Sequence, residues 1–143
     1  MTTSSAISAP VRVVVVDDFA VLRVHLAEAL DLEPDITVVG LAGSVCEAKT
    51  VISSVQPDVA VVDLNLPDGS AREFVNHFCA AQPGLACVIH TSTLRFGEAE
   101  SLLAAGAATV VLKSLRGTEL LDAIRGSRQD PGSPMVGKLT SPI

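Results

Sequence analysis

The sequence predicts an α/β domain: a doubly wound parallel sheet with helices on both faces. Three observations predict it. Short runs rich in Val, Ile and Leu recur along the chain and stop at a polar residue, as strands buried on both faces do. Between them lie segments with apolar residues at helical spacing, bounded by capping or Pro/Gly signals. The two kinds of segment alternate through five strand-helix units, and right-handed crossovers then place helices on both sides of one sheet.

The elements follow in order. Val11 to Val16 is a β-branched run that stops at Asp17-Asp18 and reads as the first strand. From Phe19 to Leu30 the apolar positions Leu22, Leu26 and Ala29/Leu30 predict a helix, which Glu33-Pro34 ends. Ile36 to Leu41 is the second strand. Ser44 with Glu47 has the form of a capping box opening a helix that carries Val45, Ala48, Ile52 and Val55 on one face. Val59 to Val62 is the third strand, ending in Asp63 and a Leu-Pro-Asp-Gly turn. Ser70 and Glu73 form another capping box, for a helix packing Phe74, Val75 and Phe78. Leu85 to His90 is the fourth strand, and Ala99, Leu102 and Leu103 mark the next helix, which stops near Gly106. Ala108 to Leu112 is the fifth strand, ending in Lys113, and Thr118 to Arg125 supplies the last helix with Leu120, Leu121 and Ile124 inward.

Flanking this core, residues 1–10 read as a flexible polar leader without the charged and apolar regions of a signal peptide. Residues 11–126 form the domain, and 127–143, rich in Gly, Ser and Pro, read as a linker or tail.

Composition narrows the function. At 143 residues the chain has the length of one domain, and 48% hydrophobic residues exclude wholesale disorder. With four Phe and no Tyr or Trp, the core must be aliphatic. A net charge of −6 with scattered Lys and Arg argues against direct grip on a nucleic-acid backbone. Mean hydropathy is +0.47, yet every apolar run is broken well before the roughly 18 to 20 residues of a membrane span. Cys46, Cys79 and Cys87 lack metal-ligand spacing and read as buried free thiols of a reducing cytoplasm.

Doubly wound sheets bind ligands beyond the carboxyl ends of their strands. Those ends hold Asp17, Asp18, Asp63, Thr91 and Lys113. Each has an ordinary alternative: Asp17 or Asp18 as a cap of the first helix, Asp63 as a turn cap, Lys113 as a solvated charge. Their joint occurrence points to one site. Three crowded carboxylates repel unless a cation sits among them, and a hard divalent ion, best Mg2+, suits two carboxylates, a backbone carbonyl such as that of Asn65, and a phosphoryl oxygen. Lys113 and the Thr91 hydroxyl suit the same phosphoryl group. Asp63, exposed at the end of a central strand, is the candidate nucleophile for forming an aspartyl phosphate. His25 and His77 fall on helices as surface or boundary residues, and alternation turns His90 to the opposite side of its strand from Thr91.

The motifs Val-Val-Val-Asp17-Asp18, Val-Val-Asp63-Leu-Asn-Leu-Pro-Asp-Gly, Val-Ile-His-Thr91-Ser92 and Ala-Gly-Ala-Ala-Thr-Val-Val-Leu-Lys113 make the chain resemble the receiver domain of bacterial two-component response regulators, from about Val11 to Arg125. The resemblance implies the flavodoxin-like strand order 2-1-3-4-5 and Asp63 as phosphoacceptor from a sensor histidine kinase. It also implies Asp17, Asp18, Asp63 and the Asn65 carbonyl around Mg2+, with Thr91 and Lys113 reading the phosphoryl group. The Leu-Pro-Asp-Gly-Ser turn and the Ala-Gly-Ala helix end look most like LuxR-type regulators, whose receiver precedes a helix-turn-helix domain. DNA is then reached only through a further C-terminal domain. A homodimer through the face of the fourth helix, fifth strand and fifth helix, a cytoplasmic location and no activity as an enzyme on other molecules are the corresponding expectations.

Three positions depart from that pattern. Val110 stands three residues before Lys113, where the family usually has Tyr or Phe as a rotamer switch; Ala71 stands where many members have Gly; Ser114 follows Lys113 where Pro or an acidic residue is common. Val110 motivates a second reading, a receiver that binds partners without phosphorylation. A small Mg2+-dependent phosphohydrolase is the enzyme alternative.

Overall fold

The computed structural model describes residues 9–113, 118–127 and 138–140. Most of the leader, Ser114 and most of the tail lie outside the described residues. The core is five parallel strands, β1 (Val11–Val16), β2 (Ile36–Ala42), β3 (Val59–Val62), β4 (Ala86–Thr91) and β5 (Thr109–Leu112). They alternate with α1 (Ala20–Asp31), α2 (Val45–Val55), α3 (Ala71–Ala81), α4 (Glu98–Ala105) and α5 (Thr118–Ser127). The sheet order is β2-β1-β3-β4-β5, with β1 paired in parallel to both β2 and β3. This is the expected doubly wound arrangement.

One difference lies at the edge. Lys138–Thr140 forms a short sixth strand, β6, parallel to β5, inside the stretch read from sequence as linker or tail. Three residues are too few to show a period, and an edge strand offers unpaired backbone donors and acceptors that a short extended segment can use.

The β-branched runs make β1 and β3 because both are covered from two sides, and all of β3 is buried. One apolar layer joins Val14, Val16, Ala60, Val62, Ile89 and Val110 to α2, α3 and α4. The other joins Val13, Val15, Val59, Val61, Val88 and Val111 to α1 and α5. Successive strand residues thus serve opposite layers, as pleating requires. Phe74 and Phe78 fill the first layer with ring centroids 4.6 Å apart. Val110, at the position of the usual aromatic, is fully buried there.

Helix limits agree with the sequence signals, with two corrections. On α1 Leu26 and Leu30 pack on the sheet as expected, joined by the buried Ala27, while Leu22, expected on the same stripe, is exposed and of the Ala29/Leu30 pair only Leu30 is inward. The inward stripe runs through Arg23, a partly buried cation that a reading of apolar residues alone passes over. On α2 the Ser44 hydroxyl accepts the Glu47 amide, but the Glu47 carboxylate accepts from Gly43 rather than from Ser44, so the capping box is only half formed. At Ser70 and Glu73 the box is complete.

Candidate functional site

The carboxyl ends of β1 and β3 lie side by side. The Asp17 amide donates to the Ala42 carbonyl at 3.0 Å and the Asp63 amide to the Val16 carbonyl at 2.9 Å, so the ladder continues past the strand ends and holds both aspartates level. On the far side the Lys113 amide donates to the Thr91 carbonyl at 2.6 Å, fixing the end of β5 against β4. The backbones carrying the site are therefore sheet, while its side chains project beyond it.

Asp17, Asp18 and Asp63 each present a carboxylate oxygen within 4.8 Å of the others. The Lys113 Nζ lies 3.2 Å from Asp17 Oδ2 and 3.7 Å from Asp63 Oδ1. Asp17 is buried, Asp63 half-buried and Asp18 exposed, so the cluster opens to solvent on one side. Asp63 Oδ1 also accepts the Leu64 amide at 2.8 Å. Burial pushes the Asp63 carboxyl above its ordinary range; Lys113 opposes this, and Asp17 and then Asp18 add to it. Three carboxylates against one ammonium leave net negative charge on hard oxygen donors, the donor chemistry of a divalent cation. The set fits Mg2+.

Other expected residues fall as follows. Asp17 Oδ1 accepts the Phe19 amide at 2.9 Å, but Phe19 itself stands at the N-cap of α1 and makes no side-chain cap bond, so neither Asp17 nor Asp18 takes the capping position. Thr91 is buried at the end of β4, and its hydroxyl donates to the Thr93 carbonyl at 3.1 Å within its own loop. Asn65, two residues after Asp63, opens a hairpin of two-residue strands and pairs with Ser70. His25 and His77 are exposed on helices. His90 shares the face of Val88; burial, with help from Lys113, pushes its pKa down to about 4, against a smaller pull from Asp17. The three cysteines are free, but only Cys87, on a strand covered from both sides, is buried; Cys46 and Cys79 are exposed on α2 and α3, the Cys79 thiol donating to the Gly106 carbonyl at 3.6 Å.

Two contributors escaped the sequence reading. Asp68, taken as part of a turn, accepts the Val45 amide at 2.7 Å and the Cys46 amide at 2.9 Å, tying the loop after Asp63 to the start of α2. Arg23 donates from Nη1 to the Asp17 carbonyl at 2.7 Å. The signal for Asp68 was the preference of Asp for helix N-termini; for Arg23 there was none in the apolar pattern.

Comparison with known proteins agrees with this geometry. The chain belongs to the response regulator receiver domain family, whose profile matches residues 13–125. It is 39% identical over 115 residues to the DNA-binding transcriptional activator DevR/DosR of Mycobacterium tuberculosis, covering 80% of this chain and 53% of that protein. It is 36% identical to a protein-glutamate methylesterase/protein-glutamine glutaminase of Rhizobium johnstonii over 64% of this chain and 26% of the relative. Among solved structures it resembles a LuxR-family response regulator from Aurantimonas at a TM-score of 0.77 and 28% identity, covering 82% of this chain and 84% of that one. The chain thus spans about half the length of the activator and a quarter of the methylesterase. Among the described residues, no helix is long and apolar enough to cross a membrane.

Proposed function

We propose that Asp63 accepts a phosphoryl group from a sensor histidine kinase and that the phosphorylated domain switches an output carried elsewhere in a longer protein. The observation that carries this reading is the meeting of Asp17, Asp18, Asp63 and Lys113 at one open edge of the sheet. An Asp63 carboxylate oxygen attacks phosphorus, the bond from phosphorus to the donor's imidazole nitrogen breaks, and the imidazole leaves with the electron pair. Lys113 neutralises charge on the transferring group, and the Thr91 hydroxyl, on leaving Thr93, donates to one of its oxygens. Asp17, Asp18, Asp63 and the Asn65 carbonyl would hold Mg2+, which when bound offsets the negative charge of the acceptor and the phosphoryl group.

DevR/DosR is a DNA-binding activator, which supports transcription as the output, DNA being reached through a further domain. The described part of this chain then acts as a switch rather than as an enzyme on other molecules. The free thiols support a reducing cytoplasm. The face of α4, β5 and α5 is the proposed homodimer surface. Intact-mass spectrometry after incubation with acetyl phosphate and Mg2+ tests the reading: the chain gains the mass of one phosphoryl group, and Asp63→Asn gains none. Equal labelling of the two proteins overturns it.

Val110, fully buried where an aromatic usually sits, favours a second reading in which partners bind without phosphorylation. In that case no adduct forms while partner binding persists. Multiple-turnover phosphate release from small phosphoesters would instead mark a phosphohydrolase.

A further inference from the structure

Asp17 is held at four points, one of them the contact of its Oδ2 with Lys113 Nζ. Its amide is bonded to the Ala42 carbonyl and its Oδ1 takes the Phe19 amide. Its carbonyl, which belongs to the peptide joining Asp17 to Asp18, takes Arg23 Nη1 at 2.7 Å. Arg23 reaches that carbonyl from the first turn of α1, on the same stripe as the buried Ala27 and Leu30. It makes no ion pair among the described residues, although acidic side chains surround the site. Among the described residues, the one hydrogen bond of its side chain is to the main chain that sets the direction of two carboxylates.

Gly43, at the end of β2, makes room for this contact. A Cβ built there would lie 2.7 Å from Arg23 Nη1 and 3.6 Å from its Cζ. The backbone of Gly43 is not in the left-handed region, so conformational freedom is not what a glycine supplies here. An added methyl would meet the same nitrogen that holds the Asp17 carbonyl and would push it away.

We infer that Arg23, admitted by Gly43, is a positioning residue for the cation site, fixing the Asp17–Asp18 peptide so that both carboxylates face Asp63. This rests on the reading of the acidic cluster as a Mg2+ site. The sign of the effect separates it from simple charge. A nearby cation with no positioning role repels a second cation, so its removal would tighten Mg2+ binding. A group that orients ligands weakens binding when lost, typically about 10- to 100-fold for such supporting partners.

The test is calorimetric titration of the full chain with Mg2+ alone, with thermal unfolding followed by circular dichroism. Arg23→Ala is expected to weaken Mg2+ binding about 10-fold, and Arg23→Lys, which keeps the charge and one donor, to fall between it and the wild type. Gly43→Ala, which leaves Arg23 in the chain, is expected to weaken binding in the same direction with little change in Tm. The double variant should bind no more weakly than Arg23→Ala, because both changes break one contact. Unchanged or tighter binding in Arg23→Ala, or full additivity of the two changes, overturns the inference. If Arg23→Ala does not fold, Gly43→Ala and Arg23→Lys decide alone. A wild-type chain that binds no Mg2+ overturns the site reading itself; a wild type that binds as its variants do overturns only the role of Arg23 and Gly43.

Discussion

Asp63 and His90 carry opposite pH dependences. The raised Asp63 carboxyl stabilises the fold below its ordinary value of 3.8, and that contribution is lost as pH rises through the folded value. The depressed His90 works the other way. It is neutral and without effect above its ordinary 6.5, and stability falls as acid drives the unfolded chain to take a proton that the folded chain refuses until about pH 4. Urea unfolding between pH 7 and pH 4.5 is therefore expected to show an acid-side loss that His90→Gln reduces by on the order of 2 kcal/mol. Parallel curves for the two proteins would remove His90 as the cause. At this scale the aspartates and Lys113 were legible, because strand ends are where a parallel sheet collects chemistry. Arg23 was not. An arginine on a helix reads as solvated until packing shows that its stripe faces the sheet, and nothing in the sequence marks Gly43 until the guanidinium beside it is seen.

Among the elements, α3 has the complete start signal. Ser70 Oγ accepts the Glu73 amide at 3.1 Å and Glu73 Oε1 accepts the Ser70 amide at 3.1 Å, satisfying donors that the helix cannot bond itself. Ser70→Ala is expected to cost about 1 kcal/mol in urea unfolding, with phosphorylation of Asp63 retained. A loss near zero would mean that water serves these amides equally well. The start of α2 depends on a residue distant in sequence, since Asp68 accepts two of its amides. The strands, α2 and α3 were legible because their apolar periods are sharp. The facing of α1 was not, because Val21, Leu22 and Val24 spread apolar character around the helix and all three remain exposed. The edge strand β6 was also hidden, since its pairing depends on β5 and not on any pattern of its own.

Across the whole molecule, strand order was legible only through resemblance, because alternation fixes a parallel sheet but not which strand sits beside which. The observed order has a temporal consequence. Pairing β3 with β1 brings Asp17, Asp18 and Asp63 together, whereas Lys113 arrives only after β4 has joined β3 and β5 has joined β4. A chain emerging from its N-terminus meets its own acid crowding before the counter-charge has been synthesised. During refolding the same crowding is expected to oppose the β1 to β3 pairing, and a divalent cation to relieve it. Stopped-flow circular dichroism, suited to a chain without Trp or Tyr, is expected to show faster refolding with Mg2+ in the wild type. Asp63→Asn should fold faster in metal-free buffer and respond less to Mg2+; rates indifferent to the ion would place the crowding after the rate-limiting step. On that outcome the acidity that equips the finished site acts first as a kinetic barrier, and the ionic content of the medium sets how quickly the nascent domain forms.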